Sequence, residues 1–179
     1  MKKNIIVFGM ISGLIVAGLM VCITTICYNN PDYTSNMVMG YASMILAFSL
    51  VFVGVKNLRD KHSGGFISFG RAFKTGLCIA FIASTIYVVV WLIEYYLFIP
   101  DFMDKYTGHV LREARESGAS SLDISKKTME MARFKEMYKN PLFLVLITYS
   151  EILPIGIVVS LISALILKRK SKVLPTSTT

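Results

Sequence analysis

Four stretches of this chain, 5–27, 37–55, 75–99 and 142–167, run for 19 residues or more almost without charge. An α-helix rises about 1.5 Å per residue, so each stretch can cross a hydrocarbon core about 30 Å thick. Lipid offers no water to backbone N–H and C=O groups, so an apolar run of this length must satisfy them internally, as a helix. The composition agrees: 54% of residues are hydrophobic and only 17% charged, against about 25% in soluble domains. These facts exclude a disordered chain, a disulfide scaffold and an ordinary cytosolic enzyme. The expected fold is all-α: an integral membrane four-helix bundle, one membrane domain over 1–170, with a helical extracytoplasmic segment at 100–141. The first run spans 23 residues, longer than the about 7–15 of a signal-peptide core, and no A-x-A pattern ends it. It reads as a retained span.

The formal charge of +8 is unevenly placed. Lys2, Lys3, Lys56, Arg59, Lys61, Arg71, Lys74, Lys168, Arg169, Lys170 and Lys172 flank the apolar runs, and only Asp60 stands among them. Basic clusters beside apolar spans follow the positive-inside rule and favour anionic headgroups. No recognition motif accompanies the charge, so nucleic acid is not an expected partner. Both termini and the 56–74 connection are expected on the cytoplasmic side. Tyr28–Asn36, with a turn signal at Asn29-Asn30-Pro31-Asp32, falls on the other side together with 100–141. Cys22, Cys27 and Cys78 lie in or at the ends of apolar runs and read as packing residues.

The polar connections have patterns of their own. After Gly64-Gly65, the residues Phe66, Phe69 and Phe73 recur at three- and four-residue steps, with Arg71 and Lys74 between them. That spacing predicts a short interfacial amphipathic helix before the third span. In 100–141, Gly118 separates a helix over 101–116 from a second one that begins at a capping box, Ser120-Ser-Leu-Asp123, and ends at Asn140-Pro141. Residues 171–179 read as a disordered tail.

Two acids interrupt the spans, Glu94 and Glu151. A carboxylate inside a bilayer is costly and marks a cavity, a proton path or a polar contact. At 100° per residue, Glu94 shares one face with Gly76, Ala80, Ser84, Tyr87 and Trp91, and small residues at four-residue steps allow helices to approach closely. On the fourth span, Gly156, Ser160, Ser163 and Ala164 form a small face, with Glu151 roughly opposite. Pro154 removes a backbone donor near Glu151, so Ser150-Glu151-Ile-Leu-Pro154 is expected to be a polar break. Gly9-xxx-Gly13-xxx-Ala17 on the first span is a packing motif, for contacts within the chain or for a homo-oligomer. His62 and His109 fall on opposite sides of the membrane. No nucleophile–base pair, metal cluster or phosphate loop is legible, so no enzyme activity and no cofactor are expected.

Four spans, the stretch Gly-Gly-Phe-Ile-Ser-Phe-Gly-Arg-Ala-Phe-Lys-Thr-Gly-Leu at 64–77 and a helical segment before an Asn-Pro pair resemble the DUF4199-like family of small bacterial membrane proteins. The resemblance covers nearly the whole chain. It implies the inner membrane of a Gram-negative bacterium and carries no functional residue with it. The expected role is that of an accessory or scaffold protein acting on a membrane-protein partner through helix packing and the outer segment. The alternative is a small transporter or proton-coupled carrier using Glu94 and Glu151. The topology is tested by single cysteines replacing Ser35, Ser63, Ser120 and Ser177 in a background lacking Cys22, Cys27 and Cys78. Impermeant thiol reagents should reach them from outside, inside, outside and inside, respectively.

Overall fold

A computed structural model describes residues 2–29 and 37–169. The turn expected around Asn30-Pro31-Asp32 and the tail at 171–179 lie outside the described residues. Six α-helices follow in order: α1 (Lys2–Asn29), α2 (Met37–His62), α3 (Phe69–Ile93), α4 (Phe102–Glu116), α5 (Ser121–Tyr138) and α6 (Pro141–Leu167). A single π-helical turn, Glu94–Phe98, extends α3. Four of these helices, α1, α2, α3 with its π turn, and α6, are long and apolar enough to cross a membrane.

Local chemistry sets the ends. Ser120 Oγ accepts from Asp123 N at 3.2 Å and opens α5, while Gly118 supplies the positive φ of +78° that the turn before it needs. Asn140 Oδ1 accepts from Leu142 N at 2.9 Å, and Pro141 occupies the first turn of α6, where its missing N–H costs nothing. Ser68 caps α3 through Arg71 N at 3.4 Å.

The 66–74 stretch departs from the sequence expectation. It forms no separate interfacial helix: Phe69, Arg71, Phe73 and Lys74 are the first turns of α3 itself. The Phe69 and Phe73 rings stack with centroids 6.0 Å apart. Phe66 precedes an extended residue, Ile67, whose N–H and C=O bond Arg169 at 3.2 and 2.9 Å. This backbone pair ties the connection before α3 to the end of α6. A second departure is at Pro154: α6 runs through it unbroken, because a proline inside an apolar helix can be carried by packing on neighbouring helices.

The four long helices form a ring in the order α1, α3, α6, α2, with α2 and α3 also meeting across it. Register and direction follow from glycines. A Cβ placed on Gly76 would lie 3.0 Å from Ser160 Cβ, and one on Gly156 would lie 2.8 Å from Ala80 Cβ. Rising numbers on α3 meet falling numbers on α6, so the two are antiparallel. Gly9 meets Ile82 and Gly13 meets Ile86 and Ala83, so α1 runs parallel to α3. Ala17 is also buried, one further step along α1. Polar bonds fix α1 on α2: Asn4 Nδ2 donates to Asn57 Oδ1 at 2.9 Å, and Ser12 Oγ to Ala47 O at 2.8 Å.

The surface is inverted relative to a water-soluble bundle. Ser12, Thr75, Ser84, Thr148, Ser160 and Ser163 are buried, while Leu14, Val38, Leu146 and Ile166 are 59–70% exposed. Several buried hydroxyls donate to the carbonyl four residues back, as Ser160 does to Gly156 O at 2.7 Å. Such packing suits lipid, where contact and hydrogen bonding rather than water exclusion hold helices together. Gly156→Val should therefore lower stability by about 1–3 kcal/mol through overpacking. Gly18→Ala, whose added Cβ meets nothing within 4 Å, should stay within about 0.5 kcal/mol. Equilibrium unfolding in mixed detergent micelles checks both.

Candidate functional site

The close packing of α3 on α6 runs from Gly76 to Ser84. Beyond it the same face of α3 carries Tyr87, Trp91 and Glu94, and α3 loosens into the π turn Glu94–Phe98. π turns add a residue to the helical circuit and are common where a helix wall is shaped for function. Aromatic rings fill the space above. Trp91 meets Phe102 edge-on at 5.1 Å, Tyr95 meets Tyr138 at 5.8 Å, and Phe134 meets Tyr138 at 4.9 Å and Phe143 at 6.1 Å. Each such pair contributes about 0.5–1.5 kcal/mol beyond area burial. Together they fasten the α4–α5 hairpin onto the ends of α3 and α6.

Under this hairpin lies a cavity of about 570 Å³, walled by α1, α3 and α6 and roofed by α4 and α5. Its volume falls in the range of about 300–1,000 Å³ usual for small-molecule sites. Met20, Tyr87, Thr148 and Glu151 line its deep part. Glu151 is an exposed residue and belongs to the cavity lining. Its depth follows from the neighbouring Tyr149, whose OH donates to Thr85 Oγ1 at 2.9 Å. Thr85 is in the middle of the apolar stretch Phe69–Phe98, so Glu151 stands near the mid-depth of the bundle.

Basic residues line the roof. Lys105, His109 and Arg112 recur at four- and three-residue steps on one face of α4, and all three line the cavity. Lys105 Nζ sits 3.3 Å from the centroid of the Tyr28 ring and 3.9 Å from Asp101 Oδ2. Tyr28 OH donates to Asp101 Oδ1 at 2.5 Å. This latch joins the end of α1 to the start of α4. Lys135 pairs with Asp104 between α5 and α4, an exposed pair worth at most about 1 kcal/mol.

Two titrating groups outside the apolar helices respond to this setting. The hydrogen bond from Tyr28, helped by the Lys105 charge, holds the Asp101 carboxyl below its usual range. Burial, reinforced by the negative field of Glu151, pushes the Tyr138 phenol up.

The two intramembrane acids do not share a site. Glu94 is 5% exposed and does not line the cavity. It stands nine residues beyond Thr85 on α3, about 13 Å further along the axis. Among the described residues no donor reaches its buried Oε2. Ser150 is exposed and donates to Ile147 O at 2.7 Å, and Pro154 lies on the exposed side of α6. Gly9, Gly13, Gly76, Ala80, Ser84, Gly156 and Ser160 are all buried between helices. Sequence reasoning passed over Lys105, His109, Arg112, Thr148 and the hairpin aromatics as site residues. The stripe Phe102, Met103, Tyr106, His109 was the available signal, but a helix face does not reveal what it covers.

Because the folded-state pKa of Asp101 is lowered, the latch is fully in place above the ordinary value near 3.8 and is lost as pH falls through the lowered value. Trp91, the chain's single tryptophan, contacts Phe102 of α4. Its emission should show an acid step in the wild type, and Asp101→Asn should abolish that step. If the step persists in the variant, the latch is not its cause.

No curated protein and no solved structure matches the chain. The model of one family, described as protein of unknown function (DUF4199), matches residues 7–169. That match takes in α2 to α6, most of α1 and the whole cavity, and the chain belongs to this family.

Proposed function

We propose that the protein is a small-solute binding or carrier protein of the bacterial inner membrane, with both termini cytoplasmic and the cavity open to the periplasmic side. The observation that carries this reading is Glu151, a carboxylate that lines the cavity near mid-depth in an apolar four-helix bundle. A carboxylate is costly at that depth, and a binding cavity or solute path is a recurring reason for keeping one there. The orientation is supported by the basic residues at the end opposite the hairpin: Lys2, Lys3, Lys56, Arg59, Lys61, Lys168 and Arg169.

The accessory or scaffold reading draws on a different feature. On α5, Leu122 and Met129 are 63% and 64% exposed, an apolar strip that a membrane-protein partner could cover. It ranks second because the larger hairpin side chains, Met103 and Tyr138, are already buried against the bundle. The hairpin is foremost a roof.

Glu151→Cys, at an exposed position of the cavity lining, in a background lacking the native cysteines provides the test. A small charged methanethiosulfonate added outside spheroplasts should modify it, and the same reagent added to the cytoplasmic face of inverted vesicles should not. If Glu151→Cys is inert while Ser120→Cys reacts from outside, the cavity is closed to water and the reading fails.

A further inference from the structure

We propose that the cavity binds an organic monocation, its ammonium group set against Glu151 and among the rings of Tyr87, Trp91 and Tyr138. The inference rests on the binding-site reading above and deepens it with a ligand class.

Within the cavity, one charge lacks an answer from the chain. Glu151 is the single acid of the lining among the described residues. No hydrogen bond and no ion pair among the described residues engages it. The hydroxyls beside it on α6 are spent elsewhere. Thr148 Oγ1 donates to Leu144 O at 2.7 Å, Tyr149 OH to Thr85 Oγ1 at 2.9 Å and Ser150 Oγ to Ile147 O at 2.7 Å. The basic residues of the roof, by contrast, have partners. Lys105 is held by the Tyr28 ring and Asp101, and Arg112 is engaged within the chain as well. His109 adds an imidazole, which is not a permanent charge. The uncompensated charge of the cavity is therefore negative.

The walls specify the kind of cation. Tyr87, Trp91 and Tyr138 line the same space as Glu151. Burial, and then the field of Glu151, push the Tyr138 phenol up, so this ring stands within electrostatic reach of the carboxylate. A carboxylate among aromatic rings holds an ammonium group through charge pairing and through the ring quadrupoles. Phe102 braces Trp91 at 5.1 Å and Phe134 braces Tyr138 at 4.9 Å. Walls already in place lose less freedom when a guest enters. A bare calcium or magnesium ion asks instead for about six oxygen ligands, where this lining offers one carboxylate. A neutral molecule strips water from Glu151 and returns no counter-charge, and an anion adds repulsion. The volume of about 570 Å³ leaves room for an organic body beside the ammonium head.

Trp91 lines the cavity and is the only tryptophan, so its emission reports occupancy. The full chain in a non-ionic maltoside is titrated with choline, with its uncharged carbon isostere dimethylbutanol, with potassium and with acetate, and calorimetry follows the same titrations. Choline should bind at least tenfold more tightly than any of the other three. Glu151→Gln should weaken choline at least tenfold and leave dimethylbutanol unchanged. Tyr138→Leu, in the hairpin, should weaken choline and leave dimethylbutanol unchanged. The ratio of choline to dimethylbutanol in the wild type needs no variant, so the test stands if either substitution prevents folding. Dimethylbutanol, potassium or acetate binding as tightly as choline overturns the proposal, and so does a choline affinity that Glu151→Gln leaves unaltered. Four silent titrations while Glu151→Cys is labelled from outside also overturn it, and leave the open cavity standing. An inert Glu151→Cys removes the cavity reading itself.

Discussion

The close approach of α3 to α6 governs this structure. Glycine, alanine and serine at Gly76, Ala80, Gly156 and Ser160 bring the two backbones nearer than larger side chains would permit. In lipid there is little gain from hiding apolar side chains from water, so dispersion contacts at such short range do much of the joining. α1 is added to the same helix by the same means, through Gly9 and Gly13 against Ile82 and Ile86. α3 thus holds two partners at once, and the positions of α1 and α6 relative to each other follow from it.

The cavity is a consequence of where that small-residue seam stops. Up to Ser84 the buried face of α3 is small. From Tyr87 onward it is bulky, and the opposing positions on α6 are Thr148 and Glu151 rather than glycine. The close backbone contacts seen at the glycines are replaced here by large rings, and Tyr87 and Trp91 line the cavity. The hairpin then closes the gap from above with rings of its own, Phe102 and Tyr138 among them. The π turn at Glu94–Phe98 lies in this ring-lined half, with Tyr95 packed on Tyr138 of the hairpin.

Much of this was legible in the residues. Span number follows from apolar run length, the small faces from helical spacing, and the starts of α5 and α6 from Ser120 and Asn140-Pro141. Helix ends near the basic residues were not. α2 continues through Lys56, Arg59 and Lys61 to His62, because long basic side chains can reach an interface without unwinding the backbone that carries them. α3 likewise begins at Phe69, as one continuous rod, where the aromatic stripe had suggested a separate element. The site itself was half visible. Glu151 stood out as an acid, yet its angular position only placed it away from the small face. What lies on that side is set by α4 and α5, through contacts that no local period encodes.

The two intramembrane acids show how context decides what a carboxylate does. Glu151 lies deeper but borders the cavity. Glu94 lies nearer the end of its helix, yet it is enclosed, with Oε2 lacking a donor among the described residues. Depth along the helix therefore does not rank the two. Contact with the cavity does, and Tyr87 and Trp91 wall that space together with Glu151. Truncating those rings would widen the space rather than close it, because surrounding helices relax only partly around a lost side chain. The cavity would then lose its shape with every charged residue still in place.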